Sequence, residues 1–169
     1  HGENKQQQLI HILERVPGSA IVYVRNRKRT KEIATELLQT GFSATYYHAG
    51  LASEEKNERQ QLWSTGKVRI MVATNAFGMG IDKPDVRVVI HIDEPNSPEE
   101  YYQEAGRAGR DGNRSYAVLL YANSDRITLK RRISESFPSK EFILQVYDRV
   151  CNFLNVAVGD GAEKIYEFS

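Results

Sequence analysis

The stretch Val86-Arg87-Val88-Val89-Ile90-His91-Ile92 decides the fold class of this chain. It is short and rich in β-branched residues, so it predicts a strand, and the Ser97-Pro98-Glu99-Glu100 that follows is typical of a helix start. Similar runs alternate with helical patterns along the chain, which predicts an α/β fold with a parallel β-sheet flanked by helices. The four other strand candidates are residues 20–24, 43–47, 68–73 and 115–121.

Apolar residues at helical spacing mark the segments between these strands. Two segments present one apolar face each, and we expect both faces to pack on the sheet. A third begins with Ser53, whose hydroxyl can cap a helix, and continues with two acids that suit the positive end of the helix dipole; it is predicted to end near Trp63. The two faces consist of Leu9, Ile12, Leu13 and Val16, and of Ile33, Leu37 and Leu38 before a stop at Gly41.

Charge and cysteine content limit the classes of function. The 169 residues carry 23 Lys and Arg against 22 Asp and Glu, so the net charge of +1 does not by itself indicate a polyanionic partner. Cys151 is the only cysteine, which excludes an internal disulfide or a multi-cysteine zinc site and favours a reducing, cytoplasmic compartment. No apolar run approaches the roughly 18 residues of a membrane span. The chain lacks an initiator Met, and we expect it to be part of a longer protein.

The composition changes after Tyr121. Residues 1–121 are predicted to form the α/β domain. Residues 122–156 are predicted to form a C-terminal helical appendage, in which two helices are broken at Phe137-Pro138 because proline lacks an amide donor. Residues 157–169 contain a Gly159-Asp160-Gly161 turn and the start of a hairpin.

The most informative string is Gln103-Glu104-Ala105-Gly106-Arg107-Ala108-Gly109-Arg110-Asp111-Gly112. Its two arginines are three residues apart and share one face at helical or turn spacing, while its glycines let a ligand approach the backbone. A guanidinium is permanently charged and presents a planar fork of donors to phosphate oxygens, which is the chemistry of an arginine finger. A solvated turn explains a bare Gly-Arg-x-Gly-Arg equally well, so the wider sequence has to decide.

Three other strings precede residues 101–112. They are Ile21-Val22-Tyr23-Val24-Arg25-Asn26, then Tyr47-His48-Ala49-Gly50-Leu51, and then Val72-Ala73-Thr74-Asn75-Ala76-Phe77-Gly78-Met79-Gly80-Ile81-Asp82-Lys83-Pro84-Asp85-Val86-Arg87. In this order, and together with residues 101–112, they resemble motifs IV, IVa, V and VI in the second RecA-like lobe of the RecQ family of superfamily 2 DNA helicases. The resemblance runs from residue 20 to about residue 121, which makes chance similarity a poor explanation.

The resemblance implies a RecA-like fold and one of two motor lobes. Arg107 and Arg110 would then be the catalytic fingers, which reach the phosphates of ATP held by the other lobe, with Gln103 organising that face. Gly80 and Asp82 would approach the nucleotide, although a turn carboxylate is the alternative for Asp82. The implied cofactors are ATP and Mg²⁺, bound mainly by the N-terminal RecA-like lobe of the same parent chain. No zinc or other metal site is expected here.

The resemblance also implies contacts with the DNA backbone. A loop formed by Phe77, Gly78 and Met79 would couple these contacts to the nucleotide, with a core role as the alternative for Phe77 and Met79. Position 27 departs from the family, which commonly has a small hydroxyl residue there, so its role is open. The basic residues between positions 25 and 31 form either a DNA-binding patch or a solvated helix face. The implied DNA-binding residues are Asn26, Arg27, His48, Ala49, Gly50, Thr74 and Asn75.

The catalytic half of an ATPase is not found in this sequence. It has no Gly-x-x-x-x-Gly-Lys-Ser/Thr phosphate cradle, so we expect the chain alone to be inactive as an ATPase. We interpret Asp93-Glu94-Pro95-Asn96 as a turn at a strand end. In the RecQ family a zinc module and a winged helix commonly follow, so residues 122–156 would stand in place of the zinc module and residues 157–169 would begin a truncated winged helix.

The function implied by the resemblance is that of the second motor lobe of an ATP-dependent 3′–5′ DNA helicase. Its partners would be single-stranded and duplex DNA and the first lobe, without a membrane, in the cytoplasm or at a bacterial nucleoid. Two alternatives stay open: an RNA helicase lobe of the same superfamily, and a non-catalytic module that binds nucleic acid or protein.

Overall fold

A computed structural model describes residues 4–78, 81–122, 125, 127, 129–131 and 139–154. The chain divides into two compact units, His1–Asp125 and Arg126–Ser169. This division lies close to the predicted boundary after residue 121. In the described part of the chain, no helix is long and apolar enough to cross a membrane.

The first unit is built on five parallel strands in the order β2-β3-β1-β4-β5. Each strand lies within two residues of its predicted bounds, so the predicted α/β fold with a parallel sheet is confirmed. β1 is central: Ala20 pairs with Ile70 on one side and Val88 on the other. The strands are β1 (Ser19–Tyr23), β2 (Ala44–Tyr47), β3 (Ile70–Ala73), β4 (Val86–His91) and β5 (Tyr116–Leu119).

The predicted helices also form, with two local differences. Helix α3 takes Ala52 as its N-cap, without a side-chain hydrogen bond, so the prediction that Ser53 caps this helix is wrong; Ser53 is its first helical residue. Leu38 is 54% exposed and does not join the buried face of α2, which consists of Thr30, Ile33, Ala34 and Leu37. The helices of this unit are α1 (Lys5–Arg15), α2 (Arg27–Gln39), α3 (Ser53–Ser64) and α4 (Pro98–Ala105).

Two apolar clusters cover opposite faces of the sheet. Side chains of a strand alternate between faces, so Val22 belongs to one cluster and Ile21 to the other. The first cluster includes buried residues of α1 and α2, and the second includes Trp63 of α3 and Phe77 of the loop after β3. The crossover from β1 to β2 and the crossover from β2 to β3 run in opposite directions across the sheet. Such crossovers place their helices on opposite faces, which explains why α2 and α3 lie on different sides of the sheet.

In the second unit the structure describes one long helix, α5 (Lys140–Leu154). It matches the second of the two helices predicted there. The predicted break at Phe137-Pro138 and the predicted winged-helix start at residues 157–169 lie outside the described residues.

Candidate functional site

The carboxyl edge of the sheet brings together most of the predicted site residues. Because the strands are parallel, the loops that follow β1, β2 and β3 emerge at the same edge, where open α/β sheets usually bind ligands. Asn26 and Arg27 follow β1, His48 to Gly50 follow β2, and Thr74 and Asn75 follow β3. Met79 and Gly80 lie outside the described residues.

The loop at residues 106–112, here called the arginine loop, follows α4 and is attached to the start of β4. The amide of Gly109 donates to the carbonyl of Val86 (2.9 Å), and that of Asp111 donates to the carbonyl of Pro84 (3.2 Å). Gly109 has φ +67°, and a Cβ there would collide with the Ser115 hydroxyl, so the turn requires glycine. The loop is therefore held by its own backbone, which leaves its arginine side chains available.

Arg107 is half-buried and Arg110 is exposed. None of the ion pairs formed by the described residues involves either side chain. The Arg110 Nε donates only to the carbonyl of Gly106, at 3.3 Å. The Arg107 Nε is buried, and among the residues described it has no hydrogen-bond partner. Two permanent charges thus lie on one loop, and no carboxylate in the described part of the chain is bonded to them.

The Arg107 guanidinium lies between the loop after β3 and Tyr23. A Cβ on Gly78, which has φ +140°, would collide with this guanidinium. The Tyr23 hydroxyl donates to the Phe77 carbonyl (3.1 Å). Burial raises the pKa of Tyr23 far above its usual range, and the neighbouring Arg107 acts in the opposite direction. Phe77 itself is a core residue, 1% exposed, with its ring against those of Tyr47 and Trp63.

A buried hydrogen bond that the sequence interpretation missed joins β4 to α4, next to the arginine loop. His91 Nε2, at the end of β4, is 2.8 Å from Glu104 Oε2 on the last turn of α4. The His91 ring lies between two tyrosine rings, with centroids 5.2 Å from Tyr23 and 5.0 Å from Tyr101. Glu104 stands inside the motif string, but nothing in its spacing from His91 predicts this contact.

Lys83 is a second residue that the sequence interpretation missed. It is 8% exposed, its Nζ donates to the Ser64 carbonyl (3.2 Å) and pairs with Asp85 (3.0 Å), and it lies 5.6 Å from the Trp63 ring centroid. Asp82 next to it, predicted to approach the nucleotide, is exposed, as is Gln103.

The predicted DNA-binding residues after β1 and β2 form one group. Asn26 is the N-cap of α2, and its side-chain oxygen accepts the Lys28 amide (2.8 Å). A Cβ on Gly50 would lie 3.4 Å from Arg27 Nη1 and 3.3 Å from His48 Nδ1, so both side chains lie over Gly50. Burial lowers the pKa of His48, and the charges of Arg27 and Arg59 lower it further. Ala49 is exposed in the turn between them.

Thr74 and Asn75 differ in accessibility. Thr74 is 5% exposed, and its amide donates to the Tyr47 carbonyl (3.2 Å). Asn75 is exposed, and its Nδ2 donates to Glu100 Oε1 (2.8 Å) on α4. The segment predicted to grip DNA is thus hydrogen-bonded directly to the helix that leads into the arginine loop.

The family profile described as the helicase conserved C-terminal domain matches residues 4–112. The chain belongs to this family. The matched segment contains all four motifs and both arginines. The chain is 48% identical over 134 residues to the RecQ-like DNA helicase blm-1 of Caenorhabditis elegans, covering 76% of this chain and 14% of that protein. It is 41% identical over 136 residues to the ATP-dependent DNA helicase RecQ of Bacillus subtilis, covering 80% and 23%.

These relatives confirm the predicted resemblance to RecQ-type helicases. A protein of Acanthamoeba polyphaga mimivirus named for ATP-dependent RNA helicase activity is also 43% identical over 135 residues, covering 79% of this chain and 25% of that protein. The helicase C-terminal domain therefore spans a quarter or less of the length of these relatives.

A solved structure with the same architecture is that of the Escherichia coli DEAD-box protein SrmB bound to the regulator RraA. It has a TM-score of 0.68 and 30% sequence identity, over 80% of this chain and 79% of that one. The predicted RecA-like class of the fold is thereby confirmed.

Proposed function

We propose that this helicase C-terminal domain is the second motor lobe of an ATP-dependent 3′–5′ DNA helicase of RecQ type. In the parent protein, Arg107 and Arg110 act as arginine fingers on ATP and Mg²⁺ that are held mainly by the first RecA-like lobe. The lobe also contacts the DNA backbone, and by itself it does not hydrolyse ATP.

The observation that carries the proposal is that the charges of Arg107 and Arg110 are not paired with a described carboxylate. Both follow α4 on a loop fixed by backbone hydrogen bonds, and neither is in an ion pair with a described carboxylate. An internal structural arginine would usually have its charge paired. A guanidinium left unpaired on a fixed loop suits a phosphate that arrives from outside, where it stabilises charge on the transferred phosphoryl group.

The link between nucleotide and DNA follows from the contacts of the loop after β3. This loop carries Asn75 at its start and Gly78 against Arg107. A movement of the DNA-contacting segment at Asn75 would therefore reach the Arg107 finger through only a few residues of this loop. Closing and opening of two lobes around ATP can then gate hydrolysis and change the grip on DNA in the same step.

The test uses the full-length parent and measures ATPase activity stimulated by single-stranded DNA. We expect Arg107→Ala and Arg110→Ala each to lower kcat by about 10³-fold or more, because fingers supply about 10³ to 10⁵ in rate in comparable systems. The matched control is Arg15→Ala, at the end of α1 and remote from the site, which should retain activity. Turnover retained in both finger variants would refute the assignment, and so would robust ATPase activity of the isolated chain.

An RNA helicase lobe of the same superfamily is the second candidate. The mimivirus relative named as an RNA helicase and the DEAD-box architecture of SrmB favour it. Unwinding of matched DNA and RNA duplexes by the full-length parent separates the two. Unwinding of the RNA duplex alone would replace the DNA assignment while leaving the arginine fingers in place.

A further inference from the structure

Glu104 lies on the last turn of α4 and points its carboxylate into the protein. Only 7% of Glu104 and 1% of its partner His91 are exposed. Their contact at 2.8 Å joins the end of α4 to the end of β4. A buried carboxylate without a partner is strongly unfavourable, so this contact restricts where the end of α4 can lie.

The backbone of Glu104 also fixes the first arginine. The amide of Arg107 donates to the carbonyl of Glu104 at 3.2 Å. A residue whose side chain is bonded to β4 thus starts the turn that carries the finger. Any displacement of Glu104 would move Arg107 with it, because only two residues separate them.

Tyr23 completes the arrangement from the other side. Its ring stacks on His91 with an interplanar angle of 20°, its hydroxyl donates to Phe77, and the Arg107 guanidinium lies beside that hydroxyl. The contacts therefore form a closed ring of four residues: His91, Glu104, Arg107 and Tyr23. It links β1, β4, α4 and the loop after β3.

We propose that Glu104 and His91 are positioning residues, which set the place of the Arg107 guanidinium without contacting nucleotide themselves. The inference rests on the proposed role of Arg107 as a finger. Both side chains are too buried to meet an external phosphate, so they act only through Arg107. A finger acts through the distance between its guanidinium and the developing charge, so a small displacement lowers the rate more than it weakens ATP binding.

The alternative is that the pair only stabilises the fold. Thermal stability and kcat separate the two roles when the replacement keeps the volume of the side chain. Glu104→Met fills the site but removes the hydrogen bond. Glu104→Gln keeps one hydrogen bond whichever ring nitrogen of His91 carries the proton, because an amide can both donate and accept.

The experiment compares these variants in the full-length parent by ATPase kinetics with saturating single-stranded DNA. We expect Glu104→Met to lower kcat by about 10-fold to 100-fold, the range typical of a finger displaced by about 1 Å, with the KM for ATP and the DNA affinity changed less than about twofold. Glu104→Gln should restore kcat to within about threefold of wild type, since it keeps the link. Leu13→Ala, on the buried face of α1, is the control that lowers the melting temperature without changing kcat.

Equal kcat values for Glu104→Met and wild type would overturn the inference. The inference would also fail if Leu13→Ala, with the same loss of stability as Glu104→Met, lost the same amount of kcat. If Glu104→Met does not fold, the double variant His91→Phe/Glu104→Met asks the same question, because it keeps a ring between Tyr23 and Tyr101 and leaves neither buried polar group without a partner; unchanged kcat there has the same meaning. Arg107→Ala is measured in parallel. If it retains turnover, the proposed function itself fails; if it loses turnover while the Glu104 and His91 variants keep theirs, only the positioning role fails.

Discussion

The guanidinium of Arg107 covers Gly78, so closely that a side chain at Gly78 would collide with it. Gly78 also has φ +140°, a backbone conformation that residues with a Cβ rarely adopt. The loop after β3 and the arginine loop after α4 therefore touch at Gly78, where a residue with a Cβ would be strained and would displace the Arg107 guanidinium. This contact joins a segment predicted to couple DNA to nucleotide with a residue predicted to act on ATP.

Gly78→Ala should lower the ATPase kcat of the full-length parent by about 10-fold or more, because the added methyl group displaces the Arg107 guanidinium. The backbone strain costs of order 1 to 3 kcal/mol and lowers stability as well. Gly41→Ala separates the two effects: Gly41 has φ +89°, but a Cβ there meets nothing within 4 Å. Thermal unfolding and kcat are measured for both variants. Equal losses of kcat in the two would mean that strain, not displacement of Arg107, is responsible.

Tyr23→Phe should make stability less sensitive to alkaline pH. The buried Tyr23 has a raised pKa, so the folded protein keeps its proton while the unfolded chain loses it above about pH 10. The unfolded state then binds fewer protons, and the free energy of unfolding falls as pH rises, by up to about 1.4 kcal/mol per pH unit from this residue. Urea unfolding between pH 8 and 11 should give a steeper fall for wild type than for Tyr23→Phe. Parallel curves would contradict burial of the hydroxyl.

Arg27→Ala tests the DNA-binding group at the start of α2. If Arg27 contacts one phosphate, its loss should reduce the slope of log K against log salt concentration by about 0.7 for single-stranded DNA. Arg15→Ala is the control, because Arg15 lies at the end of α1, outside the predicted DNA-binding residues and the basic segment between positions 25 and 31. Binding is measured by fluorescence anisotropy of the full-length parent at several salt concentrations. An unchanged slope for Arg27→Ala would remove Arg27 from the DNA contact.

The fold could be predicted from the sequence because its signals are local. The alternation of β-branched runs with amphipathic helices fixed the class, and all five strands lie within two residues of their predicted bounds. Leu38 was misplaced because the buried residues of α2 cover a stripe about 100° wide, and Leu38 lies just outside that stripe. The Ser53 cap was misplaced by one residue, which is within the usual uncertainty of helix ends.

The site was predictable only in part. The motif strings give the positions of Arg107 and Arg110, but the roles of Glu104 and His91 arise from a tertiary contact across 13 residues that has no sequence period. Lys83 was missed because a lysine after an aspartate is normally solvated, and its burial depends on Trp63 and Ser64 from α3. Asn26 was predicted as a phosphate contact, yet its side-chain oxygen already accepts a helix amide.

The pKa of His48 should report on the same group of residues without DNA. Burial is the main cause of its lowered pKa, and the Arg27 charge is the next. Arg27→Ala should therefore move the pKa of His48 upward, toward but not to its ordinary value, because the burial is unchanged. An NMR titration of the imidazole protons measures this shift. Lys28→Ala removes an equal charge whose side chain is exposed to solvent, and it should leave the pKa of His48 unchanged. An equal shift in both variants would mean that net charge, not the nearness of the Arg27 charge, sets the pKa.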